Sequence, residues 1–189
     1  MAEKQLSGLK VAAITTDGVE QVELLEPKKA LEEAGAEVLV VAPKAGRVQG
    51  FKHHDKADQI PVDLTLDQVD PSEFDAVLLP GGVINADALR IEKKAQEIVR
   101  QIDHRGNPIA VICHGPWLLV SAGLTRGHTM TSWPTLKDDI NNSGAKWEDR
   151  EVLRDRNWVS SRKPDDIPAF NREMVKLFAE ALQRQSKVA

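Results

Sequence analysis

The sequence predicts an α/β protein, a three-layer sandwich in which helices cover both faces of a mostly parallel sheet. Short apolar runs alternate with amphipathic helical stretches, and no Pro/Gly/Ser-rich linker or internal repeat interrupts this order. Alternation of this kind is typical of parallel sheets whose strands are joined by helical crossovers. The 189 residues suit one sizeable core, so we predict a single domain over residues 1–189.

The first half of the chain is predicted to hold three buried strands and one helix. The strands are LKVAAITT (9–16), EVLVVAP (37–43) and FDAVLLPGG (74–82), and the helix is VELLEPKKALEEAG (22–35). Pro27 within the helical pattern indicates either a kink or a start near the proline. Residues 46–66 lack a helical period and are predicted to form short strands or a hairpin.

The second half begins with the same alternation and then becomes more mixed. A helix over 92–106, a strand over 107–115 and a helix over 116–123 are followed by irregular sequence and a final helix around 165–182. Polar or glycine residues follow three of the predicted strands, namely Glu20, Gly81–Gly82 and Cys113. Because functional sites of such sheets lie beyond the carboxyl ends of the strands, these residues are expected to gather at one edge.

Composition excludes several classes of function. The net charge is −4, and no basic block or aromatic–basic interleaving supports nucleic-acid binding. The N-terminus lacks a long apolar segment typical of a signal peptide, and the apolar runs are too short for a membrane span. A single cysteine excludes an intrachain disulfide. We therefore expect a cytoplasmic protein that does not bind membranes.

Cys113 is the main candidate for chemistry. It ends the apolar run IAVIC and is followed by His114, Gly115 and a predicted helix. Strand, nucleophile, glycine and helix is the layout of a nucleophile elbow, although Val111 stands where the usual pattern has its first glycine. The alternative is a small buried hydrophobic residue, the commoner fate of a free cysteine. The adjacent histidine and the switch from strand to helix favour the nucleophile.

Three effects are expected to act on this thiol. The helix N-terminus favours an anion, a histidine can pair with the sulfur, and the backbone N–H groups of His114 and Gly82 can bind an oxyanion. Together they predict a lowered thiol pKa or a stabilised oxyanion.

These motifs resemble a known family. LLPGG, ICHGPWLLVSAG, TSWPTLKDDINNSGAKW and NWVSSRKPDD occur in this order and are similar to the PfpI branch of the superfamily that includes the parkinsonism-associated protein deglycase. The resemblance extends over nearly the whole chain. It implies a flavodoxin-like sandwich, similar to class I glutamine amidotransferases, and a homodimer or higher homo-oligomer.

The resemblance also assigns roles to single residues. Cys113 is the expected nucleophile, His114 its partner, and Glu20 the glutamate that hydrogen-bonds the thiol. Without the family resemblance, there is an alternative interpretation. Glu20, Glu23 and Glu26 are then all solvated acids in the first turn of a helix, the commoner fate of such residues. Asp87 is the candidate for an acid that orients the histidine of a neighbouring subunit, or else it starts a helix.

Two further residues are candidates for the substrate pocket. Trp133 in TSWP stands where many relatives have tyrosine, so no phenol hydroxyl is available there, but the indole can form a pocket wall. Arg162 either holds an anionic substrate group or forms a surface ion pair. His53 and His54 have no metal-ligand spacing around them, so we expect neither a metal site nor a cofactor.

The resemblance implies a cysteine-dependent hydrolase that acts on glyoxal and methylglyoxal adducts, of the deglycase or glyoxalase type, with peptidase activity as a lesser option. The alternative is a stress protein that acts as a redox sensor or chaperone through the same cysteine. A glutamine amidotransferase is excluded because the chain has no late His-x-Glu; its last histidine is His128. A transcriptional regulator of the same superfamily is not expected either, because it would need an additional DNA-binding domain beside the single domain predicted here.

Overall fold

The computed structural model describes residues 4–186 and confirms the α/β sandwich. Its strands are β1 (Lys10–Ile14), β2 (Val19–Glu20), β3 (Glu37–Ala42), β4 (Arg47–Lys52), β5 (Asp55–Pro61), β6 (Leu64–Thr65), β7 (Ala76–Leu79), β8 (Ile109–Ile112), β9 (Thr129–Met130), β10 (Lys146–Trp147), β11 (Val152–Asp155) and β12 (Trp158–Ser161). Its helices are α1 (Gln21–Glu33), α2 (Val83–Leu89), α3 (Lys93–His104), α4 (Pro116–Ser121), α5 (Lys137–Asn142) and α6 (Ile167–Ser186).

A seven-stranded sheet forms the middle layer, in the order β11–β12–β8–β7–β1–β3–β6. All neighbours are parallel except β11 and β12, which pair antiparallel at one edge. The chain moves from β1 to β3 in one direction and returns to β7 on the other side of β1. The crevice at such a switch point is where ligands bind in sheets of this type.

Alternate residues of each strand enter two separate apolar layers. Val11 and Ala13 of β1 face α1 and α6, whereas Ala12 and Ile14 face α3 and α4. This period of two arises because successive side chains of a strand point to opposite faces. Both faces of the central strands are therefore buried, which explains their continuous apolar sequence.

Helix α1 differs from the prediction at its start. Of the two alternatives for Pro27, a start near the proline is wrong, because the helix begins at Gln21 and continues through the proline. Pro27 is buried with Leu24 and Leu31 on the face that packs on the sheet. This register makes Glu23, four residues before Pro27, part of the buried face.

The predicted hairpin is confirmed within residues 46–66. Strands β4 and β5 pair antiparallel, and β4 also pairs with the short strand β2, so a small three-stranded sheet stands beside the main one. The tip of this hairpin carries His53, whose φ is 57°, and His54. The predicted final helix is confirmed and extends to Ser186.

Helix α6 contributes much of the apolar layer that also contains α1. Phe170 is fully buried there, whereas Arg172 of the same helix is exposed. We expect Phe170→Ala to lower the free energy of unfolding by about 3–5 kcal/mol, because it removes a buried ring and leaves a cavity. Arg172→Ala is the control and is expected to change it by less than about 0.5 kcal/mol. Urea unfolding of the three proteins tests this, and equal losses in both variants would contradict the packing.

Candidate active site

Cys113 lies at a strained turn between β8 and α4. Its φ is 62°, a left-handed conformation that costs a non-glycine residue about 1–3 kcal/mol. The turn is held on both sides, because the Cys113 N–H donates to Ser161 O of β12 at 3.1 Å and the Cys113 carbonyl accepts from Trp133 N–H at 2.9 Å. The predicted elbow geometry is therefore present, with the Cys113 backbone held by β12 on one side and by Trp133 on the other.

The sulfur of Cys113 lies among the donors that the sequence predicts. His114 Nδ1 is 3.2 Å from Sγ, and the backbone N–H groups of Gly82 and His114 both donate to the sulfur. Burial lowers the pKa of His114 below its ordinary value, so the imidazole is neutral at pH 7 and able to accept a proton. An imidazole nitrogen and two backbone N–H groups thus converge on the sulfur of the chain's only cysteine.

The acid beside the thiol is Glu23 rather than Glu20, which corrects the prediction. The Glu23 side chain is fully buried and hydrogen-bonds the thiol of Cys113, while its Oε2 accepts the Gly81 N–H at 2.9 Å. Within residues 4–186, Glu23 Oε1 meets no nitrogen or oxygen donor. The Cys113 sulfur is thus the group to which a proton on Glu23 can be donated.

Glu20 instead lines the mouth of the pocket. It is 8% exposed, and its Oε2 accepts the His53 N–H at 2.9 Å. Glu20 is the last residue of β2 and precedes α1, whereas Glu23 faces the core from the first turn of that helix. The signal that could have separated them is the register Glu23, Pro27, Leu31, which places an acid in the apolar stripe of α1.

Burial and charge set the protonation states of the pair. Burial, together with the negative charge of Glu20, raises the pKa of Glu23 from 4.5 to about 8. Burial, together with the charge of an ionised Glu23, also raises the pKa of the Cys113 thiol above its ordinary value. The predicted lowering of the thiol pKa is therefore wrong for the resting site. The backbone donors at the sulfur oppose this rise, but burial outweighs them.

The glycine pair permits the close approach of these groups. A Cβ on Gly81 would lie 2.5 Å from Cys113 Cβ, and one on Gly82, whose φ is 89°, would lie 2.6 Å from Glu20 N. Fully buried Asn85 of α2 fixes the pair, since its Nδ2 donates to Gly81 O at 2.9 Å and its Oδ1 accepts from Thr16 N–H at 2.7 Å. Sequence analysis had missed Asn85 as a positioning residue.

A cavity of about 460 Å³ opens above the sulfur. Trp133 forms part of its wall and stacks on His114, with ring centroids 5.9 Å apart. His53 and His54, to which the sequence analysis gave no role, also line it, and Phe51, Val83, Ile84 and Pro164 add apolar surface. Among the residues the structure describes, no cluster of three or more His, Cys, Asp or Glu could hold a metal ion.

Two other candidates lie outside this cavity. Arg162 pairs with Asp166 through Nε at 2.8 Å and with Asp149 through Nη1 at 2.7 Å, so the ion-pair alternative describes it better than a substrate anchor. Asp87 is exposed and is the fifth residue of α2, so it does not start that helix. A role for Asp87 in a neighbouring subunit's site remains a proposal.

The raised pKa of Glu23 predicts a pH-dependent stability. Between pH 4.5 and about 8 the unfolded chain ionises this carboxyl while the folded protein keeps it protonated. The contribution of protonated Glu23 to the free energy of unfolding is therefore fully present below pH 4.5. It decreases as the pH rises from 4.5 to about 8. Glu23→Gln, which has the same shape, is expected to be more stable than wild type at pH 8 by at least about 1 kcal/mol.

Urea unfolding between pH 5 and pH 8 measures this difference. Glu26→Gln is the matched control, because Glu26 lies on the same helix and is exposed. Parallel stability curves for wild type and Glu23→Gln would contradict a protonated, buried Glu23.

Comparison with known proteins supports the family resemblance. The model of the DJ-1/PfpI family matches residues 9–177. Deglycase PfpI of Pyrococcus furiosus is 44% identical over 169 residues, which cover 89% of this chain and 99% of the relative. Protein/nucleic acid deglycase 2 of Escherichia coli is 39% identical, with coverage of 89% and 96%. Putative cysteine protease YraA of Bacillus subtilis is 38% identical, with coverage of 89% and 97%.

Solved structures show the same fold. Drosophila melanogaster DJ-1beta superposes with a TM-score of 0.82 at 28% identity and covers 95% of this chain and 96% of its own. Schizosaccharomyces pombe DJ-1 gives a TM-score of 0.79 at 18% identity, with coverage of 93% and 98%. Within residues 4–186 no helix is both long enough and apolar enough to span a bilayer. With the family model matching most of its length, this chain belongs to the DJ-1/PfpI family.

Proposed function

We propose that this protein is a cysteine-dependent enzyme that removes glyoxal and methylglyoxal adducts, a deglycase and glyoxalase that protects against carbonyl stress in the cytoplasm. The observation that carries the proposal is Cys113 in a left-handed turn, 3.2 Å from a neutral imidazole and facing two backbone donors. The relatives named deglycases, at 39–46% identity over most of their length, support the substrate class.

The first step is addition of the sulfur to the aldehyde carbon. His114 takes the thiol proton, a C–S bond forms, and the carbonyl oxygen becomes an oxyanion that the Gly82 and His114 N–H groups can bind. For an amine adduct, the C–N bond breaks at the same carbon, and His114 returns its proton to the departing amine. The raised thiol pKa means that the thiolate forms only when this proton transfer occurs.

The later steps need no external oxidant. With a free dicarbonyl, His114 first returns the thiol proton to the oxyanion, which gives a hemithioacetal. The neutral imidazole then moves the proton of the former aldehyde carbon to the neighbouring carbonyl carbon through an enediol, which oxidises the first carbon to a thioester and reduces the second to an alcohol. Water then attacks the thioester and the Cys113 sulfur leaves. The sum is dicarbonyl plus water giving a 2-hydroxy acid, so the reaction balances without a cofactor.

Cys113→Ser is expected to abolish this chemistry while keeping the fold, since only the nucleophilic atom changes. We expect kcat/KM for methylglyoxal and for methylglyoxal-treated N-acetyl-arginine to fall on the order of a thousandfold. Steady-state assays on one preparation, with circular dichroism as the folding control, measure this. Equal catalysed rates in both proteins would remove the nucleophilic proposal, whereas wild-type rates no higher than the uncatalysed reaction would favour a non-enzymatic redox or chaperone role.

We also propose that Asp87 completes the site of a neighbouring subunit in a homo-oligomer. Asp87 lies on a surface where Val83, Ile84 and Ile91 are 52%, 54% and 73% exposed, and exposed apolar side chains of this size mark interaction surfaces. Val83 and Ile84 also line the Cys113 cavity, so a neighbour covering them reaches the site.

Asp87→Ala is therefore expected to reduce turnover by about tenfold with little change in melting temperature, since the exposed side chain contributes little to the subunit's own stability. Asp138→Ala is the control, because Asp138 is an exposed acid in the first turn of α5. Light scattering gives the oligomeric state. A monomeric protein with full activity would contradict this assignment.

A further inference from the structure

The Cys113 cavity has an unusual distribution of charge. Its acidic lining residues are Glu20 and Glu23, and its only basic ones are the imidazoles of His53, His54 and His114. No lysine or arginine lies among the residues described as lining it. Lys52 lines a neighbouring cavity, and Arg162 is bound by two aspartates. A negative charge that enters the cavity therefore meets no permanent positive charge.

The site has one position built for an anion. The Gly82 and His114 N–H groups converge on the Cys113 sulfur, where the thiolate or the oxyanion of an adduct forms. Once that position is used, a second negative group on the substrate meets no lysine or arginine among the residues that line the cavity. A carbonyl compound that carries a carboxylate or phosphate is in this situation, whereas a neutral 2-oxoaldehyde or an adduct on a cationic side chain is not.

Glu20 provides a fixed negative charge in the wall. Its side chain is largely buried and is held by the His53 N–H, and its charge reaches far enough into the site to contribute to the raised pKa of Glu23. A partly buried charge acts on its neighbours more strongly than an exposed one, because water screens it less.

We propose that Glu20 makes the site selective by charge, so that neutral or cationic carbonyl compounds reach Cys113 and anionic ones are excluded. The choice of carbonyl compounds rests on the proposed function. In that reaction a neutral dicarbonyl becomes a 2-hydroxy acid anion inside the cavity. The same carboxylate that excludes anionic substrates then repels the product, which favours its release.

The charge selectivity can be measured without turnover. Iodoacetamide is neutral and iodoacetate is anionic, and each alkylates a thiolate with loss of iodide. Cys113 is the only cysteine of the chain, so the rates report on this site alone. Because both reagents attack the same thiolate, their rate ratio does not depend on the thiol pKa. At pH 7.5 free imidazole is largely uncharged. This pH also lies below the Glu23 pKa of about 8, so Glu23 is mostly protonated during the measurement.

We expect iodoacetamide to be favoured over iodoacetate more strongly in the folded protein than in free cysteine. Glu20→Gln, which keeps the shape and the acceptor for the His53 N–H, is expected to lower this preference about fivefold. Glu20→Asp keeps the charge and is expected to retain it. Glu26→Gln is the control, because Glu26 lines the neighbouring cavity but not this one. Raising NaCl from 10 to 500 mM is expected to weaken the preference in wild type.

Inhibition by lactate provides a second measurement on the working enzyme. Glu20→Gln is expected to bind lactate about fivefold more tightly than wild type. The measured quantity is the inhibition constant of lactate with methylglyoxal as the substrate. A rate ratio that is the same in wild type and Glu20→Gln, or a wild-type ratio that equals that of free cysteine at low salt, would overturn the inference. Absence of methylglyoxal turnover alongside the expected alkylation ratios would overturn the proposed function and leave the charge selectivity standing.

Discussion

The contact between the buried carboxyl of Glu23 and the thiol of Cys113 is the interaction on which the rest of the site depends. It joins α1, which follows β1 and β2 in the chain, to the turn after β8, a strand separated from β1 by β7 in the sheet. Bringing a carboxyl to that depth requires a partner for its oxygen, which the Gly81 N–H supplies, and it requires that Gly81 have no side chain. The glycine pair, Asn85 and the start of α1 are all explained by this requirement.

A buried carboxyl of this kind changes how the thiol becomes reactive. An exposed catalytic thiol is commonly activated by a lowered pKa, but here burial raises the pKa of both groups. The Cys113–Glu23 pair is therefore neutral at rest, with its protons on the sulfur and on Glu23. In the proposed reaction, charge develops mainly when a substrate oxygen occupies the backbone donors, which would couple reactivity to binding.

The sequence was sufficient for the sheet, the strand ends, the tight turn at Cys113 and the approach of Gly82 to that turn, because these depend on local period and on the rule for parallel strands. It was not sufficient for the choice between Glu20 and Glu23. That choice depends on where α1 begins, and a shift of three residues moves an acid from the mouth to the core. The sequence also does not predict the Arg162 ion pairs or the direction of the thiol pKa shift. Both depend on residues that are distant in the sequence and on how deeply the side chain is buried.

The hydrogen bond from the Cys113 N–H to Ser161 O has a consequence for biosynthesis. β12 lies almost fifty residues after the nucleophile, yet it is the strand that fixes the elbow, and α6, which packs over it, is later still. A nascent chain that has emerged from the ribosome only as far as β11 already contains Cys113, His114 and Glu23. It still lacks β12, the strand that holds the Cys113 backbone in place. The turn around Cys113 is therefore completed late in synthesis, when β12 and α6 are available to pack beside it.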